Sequence, residues 1–233
     1  MKLINWSGYE WITQERWGQI HPEKPWNWYD PSCVKINERG NLELWVKKNP
    51  TVIKVDDDYI YSNNGTGLIN CTTDFSHGVF EIVAKLPKGR GMWPAFWMWA
   101  TNDWPPEIDI FEGYSGKRNY RNWCLKPQNI KSCIHIRNEW NVKKIPARSP
   151  WIWQFNNNPA ESFNTYTCVW DKDKIEFIIN NRLLRVITCS KTLNYLNQYN
   201  MQLVINNHID GLFQNDWSCK TPFEIKSFKY EKI

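Results

Sequence analysis

The sequence predicts an all-β fold, either a sandwich or a barrel of antiparallel strands. Short segments in which apolar and polar residues alternate recur along the 233 residues, separated by Gly, Pro and Asn. Few windows have the spacing of an amphipathic helix. No Pro/Gly/Ser-rich linker or charge block divides the chain, and its length is within what one hydrophobic core supports. We therefore expect one domain over residues 1–233. The clearest alternating segments are residues 42–46, 79–85, 165–170, 175–179 and 203–206.

One predicted strand, Glu107-Ile108-Asp109-Ile110-Phe111-Glu112, has three carboxylates among residues that are typical of a buried strand. Successive side chains of a strand point to opposite faces, so Glu107 and Asp109 share one face. Strict alternation would place Glu112 on the other face, among apolar side chains. Because an unpaired buried carboxylate is costly, we expect a one-residue β-bulge that returns Glu112 to the acidic face.

Acidic side chains on one face of a strand can perform a particular chemistry. A retaining glycosidase uses two carboxyl groups about 5–5.5 Å apart, one as the nucleophile and one as the acid and then the base. A negative Asp109 between two such groups would raise the pKa of a neighbouring glutamic acid, since like charges repel. The motif E-x-D-x-x-E alone is also compatible with a solvent-facing acidic strand or with calcium ligands.

The segments around this motif strengthen the glycosidase hypothesis. Residues 75–81 read FSHGVFE, and residues 85–99 read KLPKGRGMWPAFWMW. With the acidic strand that follows, they resemble glycoside hydrolase family 16. The resemblance covers most of the chain from about residue 60 to the end, and the N-terminal part more loosely. The later segments that resemble the family are residues 163–182, 201–211 and 223–230.

The resemblance implies a fold, an activity and residue roles. The fold would be a concanavalin A-like jelly-roll β-sandwich with a concave substrate cleft. The activity would be that of a retaining endo-β-glycosidase, with Glu107 as the nucleophile and Glu112 as the acid/base, assigned from the order of the motif. The bulged motif is similar to that of laminarinase-, agarase- and carrageenase-like members. We therefore expect a polysaccharide substrate, first a β-1,3-glucan of the laminarin type and alternatively a galactan such as agar, porphyran or carrageenan.

Two other functions use the same architecture. A transglycosylase would pass the same covalent intermediate to a sugar acceptor, and a non-catalytic glycan-binding module would use the same sandwich. Binding alone does not need a buried acid pair, so the three acids argue against the module. The sequence does not separate hydrolysis from transfer.

Aromatic residues supply candidate sugar contacts. The chain has 16 Trp residues, and sugar C–H groups stack on aromatic faces. We expect most of these rings in the core and, by the resemblance, Trp93 and Trp97 in the cleft. His135 and Asn206 lie on strands where relatives place cleft residues, so both are candidates for substrate hydrogen bonds. The turn-rich, aromatic residues 26–31 are a candidate loop at the cleft edge.

No metal or other cofactor is expected. The seven cysteines are scattered, without a C-x-x-C pair or a His cluster at metal-ligand spacing, so we expect mostly free thiols and no zinc site. Many relatives have a structural calcium with an Asp ligand on the last strand. Lys226 stands at that place, and an ammonium group cannot ligate calcium. The Asp56-Asp57-Asp58 run reads as a solvated turn.

Charge and length patterns bear on partners. The net charge of +5 is mild, and no basic stripe, helix-turn-helix or zinc-finger spacing indicates nucleic-acid binding. Arg90, Lys117, Arg118 and Arg121 bracket the acidic motif and would suit a sulfated polysaccharide, although solvated loop charges are the simpler interpretation. No segment reads as a secretory signal or is long enough to span a membrane. We expect a monomer that does not bind membranes. Relatives are usually extracellular, whereas this sequence shows no secretory signal, so the sequence does not predict the cellular compartment.

Overall fold

The computed structural model describes residues 1–21, 23–114, 129–137, 142–148 and 158–233. These residues form strands with little helix, as the all-β prediction required. The helix α1 is Ser190–Leu196, and short 3-10 helices span Pro31–Cys33 and Gly211–Phe213. The strands are β1 Leu3–Trp6, β2 Tyr9–Ile12, β3 Trp28–Tyr29, β4 Val34–Ile36, β5 Leu42–Leu44, β6 Val46–Val55, β7 Asp58–Phe75, β8 Gly78–Lys85, β9 Gly89–Arg90, β10 Met92–Ala100, β11 Glu107–Tyr114, β12 Asn129–Arg137, β13 Val142–Arg148, β14 Asn164–Trp170, β15 Ile175–Ile179, β16 Arg182–Ile187, β17 Met201–Ile209, β18 Ser218–Cys219 and β19 Phe223–Glu231.

Two stacked sheets, antiparallel except for the short parallel pair of β3 with β7, build the jelly-roll sandwich. The larger sheet has ten strands, with the order β1-β2-β7-β17-β10-β11-β12-β13 and with β3 and β6 also paired to β7. The second sheet has seven strands, in the order β16-β15-β14-β8-β19-β5-β4. Four of the five predicted alternating segments lie within single strands of these sheets. The fifth, residues 42–46, is divided between β5 and β6, because Trp45 lies between these two strands.

The core lies between the two sheets and follows from the alternation along the strands. In β8 every second side chain is buried, and Phe80 and Ile82 are fully enclosed. Phe96 and Ile108 of the larger sheet belong to the same hydrophobic cluster. The opposite face of the larger sheet, which bears the three acids of β11, is called the cleft face below.

Several further predictions can be compared with the fold. Of the twelve Trp residues that the structure describes, only Trp6, Trp11, Trp99 and Trp170 are buried, so the expectation that most Trp rings lie in the core is not met among them. Residues 56–57 form the turn between β6 and β7. The thiols of Cys33, Cys71, Cys133, Cys168 and Cys219 are free, while Cys124 lies outside the described residues. Lys226 is exposed on β19. In the described part of the chain, no helix is long and apolar enough to cross a membrane. The single-domain prediction stays a prediction.

Candidate active site

A β-bulge in β11 places the three acids on the cleft face. Glu107, Asp109 and Glu112 lie opposite Trp99, Trp97 and Ala95 of β10, with a register shift between Phe96 and Trp97. On the other side of β11, the register to β12 shifts between Asp109 and Glu112. One extra residue in β11 therefore restores Glu112 to the face of the other two acids, and the predicted bulge is confirmed.

Glu107 and Asp109 form a pair of acids, and His135 contacts both of them. The His135 Nε2 atom lies 3.2 Å from Asp109 Oδ2 and 3.6 Å from Glu107 Oε1. The Trp104 indole donates a hydrogen bond to Glu107 Oε2. Asp109 is only 4% exposed. The paired strands bring His135 directly opposite Glu107, which is why a residue 28 positions further along the chain reaches the acids.

Burial governs the protonation of this pair. It raises the pKa of Glu107 to about 8, and the neighbouring Asp109 charge adds to the rise. Burial likewise raises the pKa of Asp109 to about 8, helped by the charge of Glu112. Since two adjacent carboxylates do not both ionise readily, Glu107 and Asp109 share a proton near neutral pH. The expected effect of Asp109 on a neighbouring glutamic acid is thus present at Glu107.

Glu112 is held by two side chains. Trp93 Nε1 donates to Glu112 Oε1 at 3.0 Å, and Lys131 Nζ forms an ion pair with Glu112 Oε2 at 3.0 Å. Lys131 lies on β12 directly opposite Glu112. No pattern in the sequence marks Lys131, because its role depends on the pairing of two strands that are separated by residues 115–128.

Trp97 and Asn206 form a second hydrogen-bonded pair on the cleft face. Trp97 Nε1 donates to Asn206 Oδ1 at 2.8 Å, and the Trp97 ring is half-buried. Asn206 is only 2% exposed. The amide of Asn206 therefore orients the Trp97 ring. The substrate hydrogen bond expected of Asn206 stays a prediction.

Residues 15–21 and 23–29, called the N-terminal cover below, bound the cleft on the side of β7 and β17. Trp17 packs on Trp99 and donates its indole N–H to the Tyr29 hydroxyl. Leu68 and Val204, on the cleft face of β7 and β17, are buried beneath these aromatic rings. Residues 26–29 of the candidate edge loop, which was predicted at residues 26–31, belong to this cover. Trp26 and Asn27 both donate to the Ile209 carbonyl.

Glu15 is a fourth acid, which the sequence analysis missed. Glu15 belongs to the N-terminal cover and is fully buried, and its carboxyl group accepts a hydrogen bond from Asn70 Nδ2 at 3.1 Å. Burial raises the pKa of Glu15 to about 8, while Arg16 and Lys24 oppose the rise. The sequence Glu15-Arg16-Trp17 resembles an ordinary polar loop, so no local pattern marks this residue.

We expect Glu15→Gln to lessen the loss of stability as pH rises from 4.5 to about 8. An acid whose pKa is raised by folding binds more protons in the folded than in the unfolded chain in this range, so the free energy of unfolding falls with pH. Gln does not titrate, and the difference from wild type should reach on the order of 1–4 kcal/mol. Thermal unfolding at both ends of the range measures it. The exposed Glu10→Gln is the control, and an unchanged pH slope in Glu15→Gln would contradict a neutral Glu15.

The basic residues that bracket the motif are only partly described. Arg90 is exposed and forms an ion pair with Asp216 at 2.7 Å. Lys117, Arg118 and Arg121 lie outside the described residues. Arg90 therefore has a structural partner on the surface.

One set of side chains on the cleft face has metal-ligating atoms close together. Asp109, Cys133 and His135 each offer one ligand atom, and these atoms lie within 4.8 Å of one another. No other such set of three occurs among the described ranges. This set has no C-x-x-C or His-cluster signature in the sequence, because its members come from two paired strands. The prediction that the protein needs no cofactor stays a prediction.

Comparisons with known proteins concern the family and the fold of the chain. The sequence profile of glycosyl hydrolases family 16 matches residues 22–223. A glucan endo-1,3-beta-glucosidase of Cryptopygus antarcticus is 28% identical over 158 residues, which are 65% of this chain and 48% of that protein. The endo-1,3-1,4-beta-glycanase EglC of Rhizobium meliloti is 38% identical over 182 residues, which are 73% of this chain and 35% of that protein. The chain thus spans half or less of the length of these relatives.

A solved structure is similar in fold. The catalytic domain of an endo-1,3-beta-glucanase (laminarinase) from Thermotoga petrophila aligns with a TM-score of 0.65 at 19% identity, covering 89% of this chain and 83% of that one. The profile match over most of the chain is the stronger finding, because it compares sequences, whereas the structural match at 19% identity concerns the fold alone. This chain belongs to glycosyl hydrolases family 16.

Proposed function

We propose that this protein is a retaining endo-β-glycosidase in which Glu107 is the nucleophile and Glu112 the acid/base. The observation that carries the proposal is the bulge in β11. It brings three acids to one face of the strand, opposite Trp99, Trp97 and Ala95 of β10. A protein that only binds glycan has no need for buried acids at this place.

The first step would form a glycosyl ester. A carboxylate oxygen of Glu107 attacks the anomeric carbon, the glycosidic C–O bond breaks, and Glu112 gives its proton to the departing oxygen. The hydrogen bond from Trp93 holds the Glu112 carboxyl group in the cleft, and the ion pair with Lys131 forms once Glu112 has given up its proton. The Trp104 hydrogen bond fixes one oxygen of Glu107 and leaves the other for attack.

The second step would release the sugar. The Glu112 carboxylate removes a proton from water, the water oxygen attacks the anomeric carbon, and Glu107 leaves as a carboxylate. A sugar hydroxyl in place of water would give transglycosylation. Both outcomes use the same residues.

Asp109 and His135 would keep Glu107 ready for attack. A nucleophilic carboxylate must be ionised, yet the Glu107–Asp109 pair holds a proton near neutral pH. Because the nucleophile must be ionised, this scheme places that proton on Asp109. The hydrogen bond from Trp104 favours the charged form of Glu107, whereas the hydrogen bond between the two acids acts in the opposite direction. Asp109 then donates a hydrogen bond to the nucleophile. His135 is a positioning residue in this scheme.

The first substrate we propose is a β-1,3-glucan, in keeping with what the named relatives act on. A specific observation favours an anionic galactan as the second candidate. Lys24 Nζ lies 5.0 Å from the Trp93 ring centroid, and Lys131 lies beside Glu112, so two cations border the proposed sugar site. A sulfate or carboxylate on a sugar ring could pair with either cation.

Reducing-end release on laminarin, mixed-linkage glucan, agarose, porphyran and carrageenans tests the proposal. We expect laminarin to be cleaved fastest and internally, giving oligosaccharides early in the reaction. The Glu107→Gln protein is the blank. Products longer than the substrate would indicate transglycosylation. Binding without cleavage of any of these glycans would indicate a glycan-binding module and contradict the proposal.

Trp97→Ala should weaken oligosaccharide binding by about 1–3 kcal/mol, because the ring would lose its stacking contact with a sugar. Trp93→Ala should weaken binding similarly and also lower kcat, since the Trp93 indole holds Glu112. Calorimetry in a Glu107→Gln background measures binding without turnover. Trp45→Ala, which removes a half-buried ring whose indole binds Glu43 outside the cleft, is the matched control. A Trp97→Ala protein that melts lower but binds normally would show that the ring is structural.

A further inference from the structure

Three side chains of different chemistry converge on the cleft face of β11 and β12. Asp109 lies directly opposite Cys133 in the register of the two strands, and His135 follows two residues later on the same face. Their ligand atoms, a carboxylate oxygen, a sulfur and an imidazole nitrogen, lie within 4.8 Å of one another. All three residues are buried, each at most 9% exposed. The proposed catalytic scheme uses Asp109 and His135 but gives the Cys133 thiol no task.

We propose that Asp109, Cys133 and His135 bind a thiophilic divalent cation of the Zn²⁺ class, and that the bound ion switches the glycosidase off. The site itself follows from the geometry of the three side chains. The inhibition rests on the proposed function, because Asp109 and His135 support Glu107 in that scheme.

The donor set selects this class of ion. Thiolate, imidazole and carboxylate are the usual ligands of tetrahedral Zn²⁺, with bonds of about 2.0–2.3 Å. Ligand atoms around such an ion are about 3.3–3.8 Å apart, so side-chain adjustments on the order of 1 Å would close the set. Calcium and magnesium prefer oxygen ligands and would not use the thiol.

A fourth ligand position is available. Glu107 Oε1 lies 3.6 Å from His135 Nε2 and can complete the tetrahedron, or a water can. The three nearby acids create a negative potential that favours a divalent cation in a buried site. Binding would displace the proton of the thiol and the proton shared by the acid pair. With Asp109 and His135 engaged by the ion, Glu107 would lose both of its supporting partners.

The experiment compares wild type with Cys133→Ser, which removes the sulfur ligand while keeping a side chain of similar size. Cys189→Ser, at an exposed position before α1, controls for adventitious thiol binding. Each reduced, chelator-treated protein is titrated with Zn²⁺, and laminarin hydrolysis is expressed relative to its own metal-free rate. Separately, each protein is titrated with Co²⁺ and its thiolate-to-cobalt absorption band is recorded.

Wild type and Cys189→Ser should lose activity at the same Zn²⁺ concentration, and a chelator should restore it. Cys133→Ser should need at least about tenfold more Zn²⁺, in line with the loss of one ligand, and should lack the cobalt band. Equal Zn²⁺ sensitivity of Cys133→Ser and wild type, or a cobalt band that persists in Cys133→Ser, would overturn the proposal. The cobalt band does not depend on turnover. A thiolate band with no hydrolysis of any glycan would therefore contradict the proposed function but not the site.

Discussion

Glu107→Gln should lower kcat by a factor on the order of 10³ or more while preserving oligosaccharide binding. Glutamine is nearly isosteric with glutamate, and its amide oxygen can still accept the hydrogen bond from Trp104. An amide cannot form the glycosyl ester, so the covalent step would be lost. Initial rates of reducing-end release measure turnover, and calorimetry with an oligosaccharide measures binding.

A control for this substitution is Glu176→Gln, on β15 of the other sheet. It should leave both turnover and binding close to wild type. If Glu107→Gln retained turnover within about tenfold of wild type, Glu107 would not be the nucleophile. If it lost binding as well as turnover, Glu107 would act mainly in holding substrate.

Glu112→Ala should be rescued by azide on an activated aryl glycoside. The acid/base is needed twice, first to protonate the departing oxygen and then to deprotonate water. A good leaving group bypasses the first need, and azide bypasses the second by attacking the glycosyl-enzyme without base assistance. The rate should rise with azide by on the order of tenfold or more, and the product should be a β-glycosyl azide.

Asp109→Ala is the matched variant for this experiment, because Asp109 lies on the same strand and face but would act through hydrogen bonding and charge. Azide should not restore its rate. Rescue of Asp109→Ala but not of Glu112→Ala would exchange the two assignments. An α-glycosyl azide from Glu112→Ala would contradict the retaining mechanism.

Local pattern was enough for some parts of this protein. The alternating segments became strands because burial on one face of a sheet imposes a period of two. The bulge was predictable because a single unpaired glutamate in the core costs more than a local distortion of the ladder. Both arguments concern residues that are neighbours in sequence.

Other parts depend on which strands become neighbours, and one sequence does not contain that information in a local form. Lys131 reaches Glu112, and Cys133 reaches Asp109, only because β12 pairs with β11 in one register. Glu15 is buried only because the N-terminal cover folds over β7 and β17. The hydrogen bond of Asn206 with Trp97 likewise depends on the pairing of β17 with β10.

The position of β17 in the larger sheet governs when the cleft can form. This strand, Met201–Ile209, lies between β7 and β10, although those two strands are close to each other in the chain. During synthesis, Glu107 and Glu112 are therefore made long before β17. Only β17 joins the part of the sheet that contains these acids to the part beneath the N-terminal cover. Pairings of such large sequence separation are slow to form. During synthesis, the edges of β7 and β10 must wait without their partner, and shielding of these edges by chaperones would favour correct assembly.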